Sequence, residues 1–339
     1  MATTPGVGAV DPARRVTLTA VTPAQLRAFS AVVRLGSVKG AAAELGVTEA
    51  AVSLHVGQLR KELEDQLFTR TASGLAFTPG GLRLASRATE MLGLQDRTVL
   101  EVSQAGRGRR LLRLAASSLF AEHAAPGLIE LFAGRADDLD VELSVCTPGE
   151  FAPMLASRAV DVAIGPMPPD LPESVERKAF LNYQVVVVAG SEHPLAGTSV
   201  SPALLRQEIW HLGPSAIASD DGVVPHVLRQ LDIPEDRQRI FQSEAAALEE
   251  TKRHKGLALA LAFAVADDVA RGRLVRISGH GVQAAGVWNA MSLPGHSVPP
   301  VAAELLRFIT TPRATQAMLK GSGVTIGHFR PSVHVTLWK

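Results

Sequence analysis

Thr22, Ser37 and Thr48 each stand just ahead of a periodic apolar run, and Gly36 and Gly46 close the first two runs. Hydroxyl side chains cap helix N-termini and glycine accepts the left-handed backbone past a helix end, so this punctuation predicts three short helices in close succession. The first, in "TPAQLRAFSAVVRLG", has Pro23 at its opening position and Leu26, Phe29, Val32 and Val33 on one face. The second, "VKGAAAELG", offers Ala41, Ala42 and Leu45 as a close-packing face. The third places Ala51, Val52, Val56, Leu59 and Leu63 at helical spacing and leaves Glu49, Ser53, Leu54 and His55 on its other faces. That outer side is too polar for ordinary core. Two short helices about a glycine turn, Val38 to Gly57, make a helix-turn-helix pattern, in which the second helix enters a DNA major groove. The groove demands small residues where backbones approach, hydroxyls for phosphates and reaching groups for base edges, which Ala50, Ser37, Thr48, Ser53, Glu49 and His55 supply. A glycine-turned hairpin also occurs in plain helical bundles, so periodicity alone leaves both readings open.

The next segment narrows the choice. "LFTRTASGLAFTPGG", residues 67–81, puts a short extended run, a turn at Gly74 and a second run directly after the third helix, as a two-stranded wing would be, with Arg70 placed for a phosphate. Thr78 and Pro79 then open a long helix from about Gly80 to Gln104, in which Ala85, Ala88, Leu92, Gln95, Val99 and Val102 recur alternately every three and four residues. Such a seam wants a partner helix; its alternative is an amphipathic helix lying on its own domain. Residues 1–113 hold 15 Lys/Arg against 9 Asp/Glu, a balance of +6, while 114–339 hold 19 against 24, a balance of −5. The basic surplus lies in the part that would face nucleic acid.

The run from Gly36 to Gly81 closely resembles the N-terminal signature of LysR-type transcriptional regulators, carried by Ser37, Ala41, Ala42, Leu45, Ala51, Val52, Ser53, Leu59, Leu63, Leu67, Phe68, Arg70, Thr78 and Gly81. The resemblance implies a winged helix-turn-helix, a dimerising linker helix and a C-terminal domain that answers a small molecule. It also implies promoter DNA as partner, inverted half-sites, a homo-oligomer that is a dimer of dimers, and RNA polymerase as a further candidate partner. Two positions depart from the family pattern: Glu49 stands where Gln is usual and Leu54 where Arg or Lys often follows the helix serine. Both changes reduce DNA affinity, and Glu49 has two open roles, an acceptor for cytosine N4 or a first-turn carboxylate favoured by the helix dipole.

Beyond the Gly/Arg hinge "GRGRR" the pattern turns to alternating strands and helices, an α/β region in which strands parted by helices give parallel pairing. "LLRLAASS", "DVELSVC" and "VDVAIGP" read as strands, with "FAEHAAPGLIELFAGR" and "EFAPMLASRA" as the helices between them. A second unit opens at Tyr183 with "YQVVVVAGSEHPLA" and repeats the plan, and "AGVWNAMSL" with "PPVAAELLRFITT" returns to the first. This resembles the family's two-lobed, periplasmic-binding-protein-like effector domain, whose ligand lies between the lobes. The expected division is a disordered leader 1–21, a DNA-binding domain 22–80, a linker helix 81–106 and an effector domain 111–339. Lobe I is 111–182 with 281–339, and lobe II is 183–280. By the resemblance, effector contacts fall on Ser117 and Ser118, Thr147 and Glu150, Gly165 and Pro166 at strand ends, and Ser215 in the second lobe. Ser and Thr at strand ends also cap the following helix, a role that competes with each assignment. Family Gly and Pro positions near "LALALAF" are Ala258 and Phe263, which alters the pocket's shape, and the tail "GHFRPSVHVTLWK" reads as an extra strand covering a sheet edge.

Rival classes leave little trace. There is no Gly-x-Ser-x-Gly elbow, P-loop or His-Glu-x-x-His helix, and the ten His residues have no metal-ligand spacing, so no catalytic residue, metal or cofactor is expected. Cys146, the single cysteine, reads as a small buried hydrophobe in a reducing compartment. The longest apolar stretch, from Gly256 to Ala266, falls far short of the ~20 residues a membrane span needs. A cytoplasmic protein away from the membrane is expected, the alternatives being a metabolic enzyme or a solute-binding protein built on the two-lobed domain.

Overall fold

The computed structural model describes residues 21–71, 74–106, 108–218, 222–253 and 256–320, so the expected leader and the expected tail strand lie outside the described residues. The chain divides into two compact units, one ending at Asp96 and one beginning at Arg97.

The first unit holds α1 (Pro23–Leu35), α2 (Val38–Leu45), α3 (Glu49–Leu63), β1 (Phe68–Thr71), β2 (Gly74–Phe77) and the start of α4 (Pro79–Ala105). Each cap is where the residues demand it. Thr22 and Gln25 form a reciprocal capping box, Gly36 and Gly46 close their helices at φ 64° and 65°, and Ser37 and Thr48 accept from the amides of Gly40 and Ala51. Phe29, Val32, Ala41, Val52 and Leu59 are buried together, and the Phe29 ring stacks on Phe68 at 6.2 Å. Each large side chain so enclosed stabilises the unit by about 1.5–3 kcal/mol. The wing is antiparallel, Phe68 opposite Phe77. It is tied back by Asp65, whose Oδ1 accepts from Leu67 N at 2.6 Å and Thr78 Oγ1 at 2.7 Å; the Thr78 bond holds this carboxyl below its ordinary pKa. Gly81 permits the tightest approach, since a Cβ there would sit 1.9 Å from the Leu67 carbonyl oxygen.

The second unit continues with β3 (Arg110–Ala116), α5 (Ser118–His123), α6 (Ala125–Ala133), β4 (Leu139–Val145), α7 (Phe151–Ala156), β5 (Val162–Gly165) and β6 (Glu176–Gly190). Next come β7 (Ser199–Val200), α8 (Pro202–Leu205), β8 (Trp210–Leu212), α9 (Val223–Gln230), β9 (Gln238–Ile240), α10 (Glu244–Arg253) and β10 (Leu257–Leu261). It closes with α11 (Ala266–Ala270), β11 (Leu274–Arg276), β12 (Ser278–Gly279), β13 (Gln283–Ser292), α12 (Pro300–Phe308) and α13 (Pro312–Lys320).

The sheet runs β4-β3-β5-β13-β6-β10-β8-β9. Its two flanks, β4-β3-β5 and β10-β8-β9, are parallel as helix-separated strands must be, whereas its centre is antiparallel. β6 and β13 pair along ten residue positions, each reaching from one flank into the other, with a register shift at Trp288/Asn289. Parallel pairing therefore holds within each half and not where the halves join. β6 is also longer than the strand expected to open at Tyr183, because its first half, "ERKAFLN", is mostly exposed and carries no apolar run. The single helix expected after β3 is two: Pro126 has no N–H and α6 restarts at Ala125. α10 and α13 were not expected at all.

Candidate functional site

On the first unit the outer side of α3 is free of the unit's own core. Thr48, Glu49, Ala50, Ser53 and Leu54 are exposed, with Leu54 60% accessible, while Val52, Val56 and Leu59 on the opposite side are buried. Glu49 is the first residue of the helix. Ser37 and Thr48 spend one lone pair each on the caps described above, which leaves their O–H groups to donate outward. His55 is half-buried, its Nδ1 enclosed with no partner among the described residues, so it contributes less outward surface than its neighbours. Arg70 stands on the first wing strand, paired with Leu75.

In the second unit, a small cleft with about 30 Å³ of room for water-sized molecules is lined by residues from both halves of the sheet. Of the sequence-derived residues, Ser117, Pro166 and Ser215 line it. Ser118 is turned away: its Oγ donates to Glu244 Oε1 at 3.2 Å, and Ser215 N donates to the same oxygen at 2.8 Å. Gly165 serves packing, since a Cβ would meet the Phe151 ring at 2.8 Å and Ser117 Oγ at 3.1 Å. Thr147 and Glu150 bond each other, Thr147 N and Oγ1 both donating to Glu150 Oε2 at 2.7 and 2.8 Å, and neither lines the cleft. The competing cap role takes these two residues.

Three features of the cleft, and Glu244 beside it, went unread in the sequence. Trp288 and Tyr183 form an aromatic wall, stacked at 4.6 Å, with Phe120 edge-on to Trp288 at 5.0 Å. The first turn of α9 and Pro148 complete other sides. Glu244 begins α10, whose first amides, Glu244 N and Ala245 N, both donate to Glu122 of α5 at 3.0 Å. Burial pushes the Glu244 carboxyl above its ordinary pKa, against the lowering effect of the Ser215 amide. The lone Trp288, sitting at the register shift of β13, had no periodic pattern to announce it.

Family comparisons match both parts. Residues 23–82 fit the pattern "Bacterial regulatory helix-turn-helix protein, lysR family", and residues 105–312 fit "LysR substrate binding domain". The chain belongs to the LysR family of transcriptional regulators. As a LysR-type regulator it is 59% identical over 321 residues to an uncharacterized HTH-type transcriptional regulator of Mycobacterium tuberculosis, covering 94% of this chain and 100% of that one. Among solved structures, ArgP from Mycobacterium tuberculosis matches at a TM-score of 0.56 and 18% identity over 88% of this chain and 96% of its own. Full-length CbnR complexed with its target DNA matches at 0.52 and 19% over 87% and 99%. Both likenesses describe the fold. This LysR-type chain has among its described residues no helix long and apolar enough to cross a membrane.

Proposed function

We propose that this LysR-type regulator binds inverted-repeat promoter DNA as a dimer or dimer of dimers and changes that binding when a small molecule occupies the cleft between its two α/β lobes. The observation that carries the reading is the accessible side of α3, where Thr48, Glu49, Ala50, Ser53 and Leu54 lie together. In the groove, α3 supplies sequence choice while Ser37, Thr48, Arg70 and nearby cations hold phosphates. Pairing runs along α4, whose Leu82, Met91, Leu94, Val99 and Val102 are all more than half exposed. A two-fold pair reads half-sites about one helical turn, ~34 Å, or a multiple of it apart. The divisions 1–21, 22–80, 81–106 and 111–339 assign leader, DNA reader, dimer helix and effector sensor. The regulator works in the cytoplasm, where RNA polymerase is the machinery its bound state affects.

A gel shift on the DNA flanking its own gene tests this. Retention weakens by decades as salt rises if several phosphates are engaged. Ser53→Glu abolishes retention with the fold intact; undiminished retention by that variant removes α3 as the reading surface.

A further inference from the structure

The carboxylate of Glu49 is unused inside its own unit. The residue is exposed, and among the described residues no hydrogen bond or ion pair holds its side chain. Its neighbour already closes the start of α3: Thr48 Oγ1 accepts from Ala51 N at 3.2 Å and Thr48 O from Val52 N at 3.1 Å. What remains at position 49 is a group with two oxygens, about four acceptor positions and nothing to donate. The rest of the outward side decides how far that group can reach. Ala50, Ser53 and Gly57 follow one another along α3 at steps of three and four residues, all exposed, and a Cβ at Gly57 would meet nothing within 4 Å. With nothing longer than a serine along this line, the helix can approach the floor of a major groove closely. Glu49 stands in its first turn, where a recognition helix contacts base edges.

Charge then selects the base. Among the exposed residues of α3 the cation is Lys61, roughly 18 Å along the axis from Glu49 and beyond the ~8 Å over which charges act at physiological salt. Arg60 is half-buried and donates to the Phe68 carbonyl at 2.7 Å. A carboxylate carried between two phosphate chains without a cation of its own helix beside it is repelled, and a donor on a base edge is what offsets that cost. The major groove offers two such donors, adenine N6 and cytosine N4. Adenine N6 is flanked by acceptors on both sides, its own N7 and the thymine O4 of its pair, and these push a carboxylate away. Cytosine N4 has an acceptor, guanine O6, on one side and a carbon-bound hydrogen on the other, which leaves an approach open to an oxygen that can only accept.

We propose that Glu49 determines one base of the operator: in each half-site its carboxylate accepts from N4 of a cytosine in the major groove, and that position is C·G because of this contact. This rests on the reading of α3 as the helix that enters the groove.

The test is selection of binding sites by the full-length protein from a pool of randomised duplexes, run in parallel with Glu49→Gln and Glu49→Ala. Both replacements are good helix formers at an exposed position and leave the Thr48 cap in place, so the fold is kept. The parent enriches cytosine at one position of each half-site. Glu49→Gln enriches adenine there, since a Gln amide matches N6 and N7 together, and Glu49→Ala enriches no base there. On the parent's selected duplex, changing that C·G pair to T·A weakens the parent about tenfold and weakens Glu49→Ala by less than about twofold. Both substitutions also remove a negative charge and tighten binding to every duplex alike, so base preference is the readout and affinity is not. The same base enriched at every position by all three proteins overturns the contact and keeps α3 as the reading helix. A position that follows residue 49 but is not cytosine in the parent overturns the cytosine. A parent that enriches no sequence at all overturns this inference together with the proposed function.

Discussion

Arg97 is the best place to measure what one ion pair contributes to the second unit. Its guanidinium donates to Asp161 Oδ1 at 2.6 Å, with side chains 6% and 3% exposed, and its Nε donates to the more exposed Glu101 at 2.6 Å. Asp161 Oδ2 also accepts from Arg113 N at 2.8 Å. Burial works against the Arg97 charge, yet Asp161 and Glu101 outweigh it and leave its pKa above the ordinary value. Arg97→Ala leaves Asp161 buried with one amide donor and with the Arg113 guanidinium 4.0 Å away. Breaking such a pair from one side costs about 3–5 kcal/mol, and the nearby Arg113 places the expectation at the lower end, ~3 kcal/mol. For a unit of this size that is a fall in Tm of roughly 6–12 °C. The assay is urea unfolding followed by tryptophan fluorescence, since Trp210 and Trp288 are both buried in this unit and residues 1–96 hold no tryptophan. The double change Arg97→Met with Asp161→Asn removes both charges but keeps an acceptor for the Arg113 amide, and it loses less than the two single changes summed. A loss below about 1 kcal/mol for Arg97→Ala, or strict additivity in the cycle, refutes the reasoning.

Other outcomes follow from the same coordinates. Gly81→Ala pushes a methyl against the Leu67 carbonyl oxygen and displaces the wing from α4; DNA retention drops while tryptophan fluorescence stays unchanged. Cys146, whose thiol is pushed up to about 12 by burial and by Glu150, resists iodoacetamide at pH 8 until denaturant is added; rapid labelling of the folded protein contradicts this. Burial lowers His123 from 6.5 to about 4, so the unfolded chain takes up its proton first. Stability is full above pH 6.5 and falls by up to about 1.4 kcal/mol per pH unit down toward pH 4, a slope that His123→Leu flattens in urea titrations at stepped pH.

Local chemistry made the DNA-binding unit legible. Thr22, Ser37, Thr48, Gly36 and Gly46 act within four residues of themselves, so caps, helix ends and the exposed side of α3 could all be read from neighbours in the chain. The second unit gave up its helix-separated strands for the same reason. Its cleft did not, because the wall is made by residues far apart in sequence: Ser117 after β3, Val223 on α9 and Trp288 on β13. Glu244 escaped notice because α10 is a mixed acidic and alanine run with few large apolar residues, and its partner Ser118 lies 126 residues away. The exposed start of β6 carried no alternation to mark it as a strand.

The doubled ribbon of β6 and β13 sets a limit on what a bound molecule can accomplish. Both halves share this one ladder, whose register slips once, at Trp288/Asn289, so any bend or change of coiling between them is concentrated at that offset.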